Sequence, residues 1–202
     1  MTRIILATHN IHKARELKAL IGDLNVDVLT LDDIATELVL KEDGDTFEAN
    51  ACQKARIVHN HTKLISLADD SGLEVFYLNG RPGVFSARYT GAEATDELNN
   101  RKLLNEMRGV APRRRRAQFR SVLALVGDGV EEVTEGICSG VLGEFPHGTN
   151  GFGYDPIFIP DGFVKTYAEL TAEEKNRISH RARSFANMRD VLKAKLVTAD
   201  NR

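Results

Sequence analysis

The sequence predicts an α/β fold built on a long mixed β-sheet flanked by helices, and three stretches carry that reading. Residues 3–8 are a short apolar run that hands over through Thr8-His9-Asn10 to a helix, a β-loop-α opening. Ile65-Ser66-Leu67-Ala68 reads as a strand buried on both faces that empties into a polar turn, Asp69-Asp70-Ser71-Gly72. Residues 118–126 and 130–142 read as a hairpin joined through Gly127-Asp128-Gly129, which makes the sheet mixed rather than purely parallel.

Each element follows from its own pattern. The first helix is marked by Ile11, Ala14, Leu17, Leu20 and Ile21 and is stopped by Gly22. Its N-terminus, with Lys13 in the first turn, could hold an anion, although the glycines of a Walker loop are absent and the residues taken alone favour Asn10 as a simple cap. Residues 26–31 suggest a second strand. A helix from Thr46 to about Asn60 buries Phe47, Ala51, Ala55 and Val58, with Asp45 and Glu48 spaced as a capping box. Residues 73–78 read as a further extended run. Residues 95–107 form a helix by composition. Gly148, Gly151 and Gly153, interleaved with Phe152 and Tyr154, form a loop that can bring backbone close to a ligand and stack a ring on it. Thr171 with Glu174 is a second capping box, opening a helix that ends near Ile178. The final helix follows Ser179-His180-Arg181 and buries Phe185, Met188, Val191, Leu192 and Leu196.

Composition excludes several classes. With 42% hydrophobic and 28% charged residues in 202, the chain can bury a substantial core and is neither disordered nor collagen-like. A net charge of -2 provides no global field toward nucleic acid or an anionic membrane, and the run Arg113-Arg114-Arg115-Arg116 reads as a solvated loop. The Ile4-Ile5-Leu6-Ala7 run is too short for a signal peptide or a membrane span, so a cytoplasmic location is expected. Cys52 and Cys138 have no metal-ligand spacing and are expected as reduced, partly buried thiols.

The chemistry concentrates at Asp69 and Asp70. Adjacent carboxylates repel unless a cation or a set of hydrogen bonds offsets them, and hard oxygen donors suit magnesium. On residues 65–72 alone, a magnesium site and a turn whose aspartates cap backbone N–H groups fit equally.

Five segments together resemble one family in order and spacing. They are Thr8-His9-Asn10-Ile11-His12-Lys13, Ala68-Asp69-Asp70-Ser71-Gly72-Leu73, Pro82-Gly83-Val84-Phe85-Ser86-Ala87-Arg88-Tyr89, Gly151-Phe152-Gly153-Tyr154-Asp155-Pro156 and Ser179-His180-Arg181. The family is the inosine/xanthosine triphosphate pyrophosphatases of the Ham1 type, and the resemblance covers nearly the whole chain as a single domain over 1–202. It implies two lobes around a nucleotide-binding cleft, a homodimer, and magnesium-dependent hydrolysis of ITP, dITP and XTP to monophosphate and pyrophosphate, with neither nucleic acid nor membrane as a partner. Carried over to this chain, Thr8, His9, Asn10, Ile11, His12 and Lys13 hold the phosphates. Asp70 accepts the proton and binds magnesium with Glu42, while Ser71, Lys54 and Arg88 contact the substrate. Phe152, Gly153, Tyr154, Asp155, Lys175, His180 and Arg181 surround base and sugar, with Arg181 expected to read the 6-keto group. Many members carry glycine where this chain has His9. Rival readings are a non-hydrolysing nucleotide sensor, a Maf-type pyrophosphatase, and a nucleic-acid binder resting on Arg113 to Arg116.

Overall fold

A computed structural model describes residues 2–22, 24–34 and 38–199, with side chains described as far as residue 194. The expected burial of Leu196 lies outside that description. Among the described residues six strands form one sheet in the order β2-β1-β3-β4-β5-β6: β1 is Thr2–Leu6, β2 Val26–Thr30, β3 Ile65–Val75, β4 Arg116–Gly127, β5 Val130–Leu142 and β6 Phe158–Pro160. β1 runs parallel to both β2 and β3, whereas β5 and β6 are antiparallel, so the sheet is mixed as expected. Among the described residues five α-helices accompany it: α1 Ile11–Ile21, α2 Phe47–Thr62, α3 Asp96–Glu106, α4 Ala172–Ile178 and α5 His180–Ala199.

The chain divides into two compact units, the first comprising residues 1–70, 121–136 and 181–202 and the second 71–120 and 137–180. Each has its own apolar core. In the first, Leu17 and Ile21 of α1 and Phe185, Met188 and Leu192 of α5 pack with Ile4, Leu6 and Leu67 of the strands. The second buries Leu73, Leu103, Met107, Phe119, Phe158 and Tyr167 together. Thr171 and Glu174 form the expected capping box at α4, and Cys52 and Cys138 are both buried.

Four expectations are corrected. Asp69-Asp70-Ser71-Gly72 is not a turn: β3 runs unbroken for 11 residues through it. A polar sequence can stay in a strand when its side chains find partners, and here they do. The extended run expected to Leu78 ends at Val75, after which Phe76–Leu78 is a 3-10 turn closed by Asn79 in the left-handed region at φ 54°. The N-cap of α2 is Thr46 rather than Asp45, its hydroxyl accepting from the Ala49 N–H. The hydroxyl one position nearer the helix is better placed than the carboxylate outside it.

The fourth correction concerns the arginine run. Arg113 and Arg114 are exposed, but Arg116 opens β4 and pairs with Asp161 at 2.6 Å. Arg115 is only 4% exposed. Its guanidinium donates to the carbonyls of Leu142 and Met107, each at 2.9 Å, and of Gly143 at 2.6 Å. Backbone acceptors that charge counting does not register have drawn it inside. Arg115→Met is therefore expected to destabilise the protein by about 2–4 kcal/mol, because it strands buried carbonyls, while Arg113→Met should lie within about 0.5 kcal/mol of the parent. Urea denaturation of the two variants is the measurement.

Candidate active site

In a strand, successive side chains point to opposite faces. Because β3 is continuous, Asp69 and Asp70 diverge, and each meets a different set of helices. Both are buried, at 1% and 6% exposure.

Asp69 meets α1 and α5. Its Oδ2 lies 2.9 Å from Lys13 Nζ and 3.3 Å from an Arg181 nitrogen, and its Oδ1 accepts from Ser121 Oγ at 2.7 Å. Arg181, itself 1% exposed, also pairs with Glu16. Lys13 and Glu16 are three residues apart on one face of α1, the spacing that lets two side chains reach the same place. Burial by itself would raise the Asp69 carboxyl, but the Arg181 guanidinium and the Lys13 ammonium overcome it and hold the group well below the usual carboxylate range.

Asp70 meets α2. Its Oδ1 is 2.9 Å from Lys54 Nζ and its Oδ2 accepts from Asn50 Nδ2 at 3.1 Å. Asn50 and Lys54 are four apart, again one helical face. The Asn50 Oδ1 in turn accepts from the Gly44 N–H at 2.8 Å, which ties down the segment that carries Glu42. Only glycine fits there, since a Cβ on Gly44 would stand 2.8 Å from the Ala49 Cβ and 2.9 Å from Asn50 Oδ1. Glu42 Oε1 approaches Lys54 Nζ to 2.6 Å, and the same ammonium donates to the Asp69 carbonyl at 2.9 Å. Burial raises the Asp70 carboxyl against the opposing pull of Lys54 and Lys13. The two aspartates are thus shifted in opposite directions: Asp69 is a firmly ionised counter-ion, and Asp70 is the more basic carboxylate.

Glu42 and Asp70 present oxygens that converge on one cationic centre, Lys54 Nζ. Among the described residues no cluster of three or more His, Cys, Asp or Glu could hold a metal. Two carboxylates without nitrogen or sulfur donors fit magnesium, which commonly takes one or two carboxylates and completes its shell with water and phosphate oxygens.

The expected phosphate segment is more self-contained than its sequence suggests. Asn10 Oδ1 accepts from the His12 and Lys13 N–H groups at 2.9 and 3.1 Å, so Asn10 caps α1, and Thr8 Oγ1 accepts from the Asn10 N–H at 3.1 Å. His9 Nε2 lies 2.8 Å from the Leu38 carbonyl, and Ile11 is exposed. Arg181, expected beside a base, has its terminal nitrogens committed to Glu16 and Asp69.

In the second unit, Asp155 is buried and its Oδ2 accepts from Lys175 Nζ at 2.6 Å and from the Phe152 N–H at 2.9 Å. The Lys175 ammonium lies 5.1 Å from the centre of the Phe152 ring. His180 is buried and stacked on Phe119, with ring centres 4.7 Å apart. Tyr154 gives its hydroxyl to the Ser86 carbonyl at 2.9 Å. Ser71 is half-buried at the start of this unit's share of β3, and Arg88 stands 5.4 Å from the Phe85 ring. Sequence reasoning missed Glu16, Asn50 and Ser121. The first two could have been found from helical spacing to Lys13 and Lys54; nothing marked Ser121.

The fold and these residues define an α/β protein with a buried carboxylate–lysine centre. Residues 4–191 match the model of the Ham1 family. The chain belongs to that family. It is 43% identical over 200 residues to a dITP/XTP pyrophosphatase of Clostridium perfringens, spanning 96% of this chain and 98% of that one. A Geobacter sulfurreducens protein of the same name is 47% identical, over 95% and 97% of the two chains. Among solved structures, the Staphylococcus aureus Ham1 protein superposes with a TM-score of 0.86 at 38% identity, over 96% of this chain and 100% of its own.

The opposite shifts of the aspartates give a stability prediction. The lowered Asp69 contributes stability that is present above its unfolded value and is lost as pH falls through the folded one. The raised Asp70 has the opposite sign, so its ionisation opposes folding. At neutral pH Asp69→Asn is expected to cost about 3 kcal/mol, because it leaves Lys13 and the buried Arg181 uncompensated, and Asp70→Asn less, because Glu42 and the Asp69 carbonyl still accept from Lys54. Equal losses in denaturant titrations would contradict the assignment.

Proposed function

We propose that the protein hydrolyses non-canonical purine nucleoside triphosphates, ITP, dITP and XTP, to the monophosphate and pyrophosphate with magnesium, removing them from the nucleotide pool. The observation that carries this reading is the Asp70 centre: a buried, more basic carboxylate oriented by Asn50 and Lys54, with Glu42 converging on the same point. The names borne by relatives over 40% identical along nearly the whole chain support the substrate class.

In this mechanism Glu42 and Asp70 would hold magnesium, which when bound would supply charge neutralisation to the phosphate oxygens. Asp70 takes a proton from water while the water oxygen bonds to the α-phosphorus and the α–β bridging bond breaks, releasing pyrophosphate. Lys54 and Lys13 neutralise phosphate charge, joined by Arg88 and Ser71 and by the segment of Thr8, His9, Asn10, Ile11 and His12. Asp69 holds Lys13 in place. Phe152 provides a stacking face for the base, with Gly153, Tyr154 and the Asp155–Lys175 pair holding it and His180 closing the same group.

Selectivity follows from the edge that distinguishes hypoxanthine and xanthine from adenine, a 6-keto acceptor and an N1–H against an amino donor and a bare N1. A fixed donor facing position 6 is left unpaired by adenine, which rejects it strongly. Arg181, oriented by Glu16 and Asp69, is proposed as that donor, with Lys175 beside it in role. The protein is further proposed to act as a cytoplasmic homodimer, independent of nucleic acid and membrane; no helix among the described residues is long and apolar enough to cross a membrane.

Ion-exchange chromatography of reactions with ITP, XTP, GTP and ATP in magnesium buffer tests the reading. Monophosphate plus pyrophosphate from ITP and XTP, with ATP nearly untouched, is expected, whereas diphosphate plus orthophosphate would overturn it. Asp70→Asn should lower kcat by roughly 10³-fold, and Asp69→Asn by less. Arg181→Ala should narrow the preference for ITP over ATP; a uniform loss on both nucleotides would reduce Arg181 to a holder of Asp69.

A further inference from the structure

Phe152 lies between two glycines in the left-handed region, Gly151 at φ +76° and Gly153 at φ +62°. A segment of this kind has little stiffness of its own. The position of the ring must be imposed by hydrogen bonds around it. On one side, Asp155 Oδ2 accepts from the Phe152 N–H at 2.9 Å. On the other side stands α3, which presents Asp96 and Asn100 four residues apart on one face.

Asp96 Oδ2 accepts from the Gly153 N–H at 2.6 Å, and Asn100 Nδ2 donates to the Gly153 carbonyl at 2.9 Å. Both backbone groups of one residue are therefore taken by one helix. Asn100 is only 7% exposed, and its Oδ1 has no hydrogen-bond partner among the described residues, so the Gly153 carbonyl alone decides how the amide is turned. A groove of about 550 Å³ runs along this face, lined by Asp96, Asn100, Arg101, Gly151, Phe152 and Gly153. The helix residues that grip the loop thus border the same space as the ring.

We infer that Asp96 and Asn100 are positioning residues that set the affinity for the purine base, acting through Gly153 on the Phe152 ring. The inference rests on the nucleotide reading above. Releasing either grip lets the glycine-flanked ring sample orientations that do not stack, and stacking governs binding rather than the bond-breaking step.

The test is steady-state kinetics of Asp96→Ala and Asn100→Ala on ITP. Each variant should raise KM roughly 5- to 30-fold, the range expected when a stacking contact is lost, with kcat within about twofold. Asp96→Asn keeps an acceptor oxygen in the same place and should return KM to within about threefold of the parent. Unchanged KM in both alanine variants, or Asp96→Asn as impaired as Asp96→Ala, overturns the inference. A parent protein that hydrolyses neither ITP nor XTP overturns the nucleotide reading, and the grip on the loop is then read separately. The chain has no tryptophan, so Phe152→Trp gives a single tryptophan in the loop, excited selectively over the tyrosines. Adding Asp96→Ala to it should raise acrylamide quenching at least about twofold, as for a side chain released from a fixed orientation; unchanged quenching overturns the positioning role.

Discussion

Everything in the first unit depends on the alternation of one strand. Two adjacent aspartates at 1% and 6% exposure could not both be ionised against each other in a common pocket. β3 resolves this by passing straight through them, so each carboxylate acquires its own cations and donors. α1 and α5 serve Asp69 with Lys13 and Arg181, and α2 serves Asp70 with Lys54 and Asn50. One strand register thereby yields a firmly ionised counter-ion and a more basic carboxylate from two chemically identical residues.

The second unit uses the same logic with fewer parts. Asp155 and Lys175 form a buried pair, and Asp155 also fixes the backbone of Phe152. Burying an ion pair is costly, and its retention is best understood through the geometry it imposes. Arg115 shows the complementary case, a guanidinium buried against backbone carbonyls, where it gathers the ends of β5 and α3.

The elements were legible in the sequence wherever local chemistry decided them. The capping box of Thr171 and Glu174, the two-residue link between β4 and β5, and the apolar spacing of α1 and α5 all act over a few residues. What local pattern misjudged was settled by distant partners. The Asp69–Gly72 segment has the composition of a turn, yet side chains from α1, α2 and α5 keep it in a strand. Arg115 looks solvated among three other arginines, yet carbonyls up to 28 residues away bind it. The lysines of the site were visible through the family resemblance, but Glu16, which pairs with Arg181, and Asn50, which donates to Asp70, were not, because no motif contains them.

Lys54 carries a consequence of a different kind. An ammonium has three N–H donors, and here each has an oxygen acceptor: Glu42, Asp70 and the Asp69 carbonyl. The lysine is in effect a permanent resident cation, coordinated as fully as its chemistry allows. The first unit therefore brings its own electrostatic closure and does not depend on a dissolved ion to complete its architecture. In such a protein, exposure to a chelator leaves the folded state standing, because the charge that closes this centre is part of the chain itself.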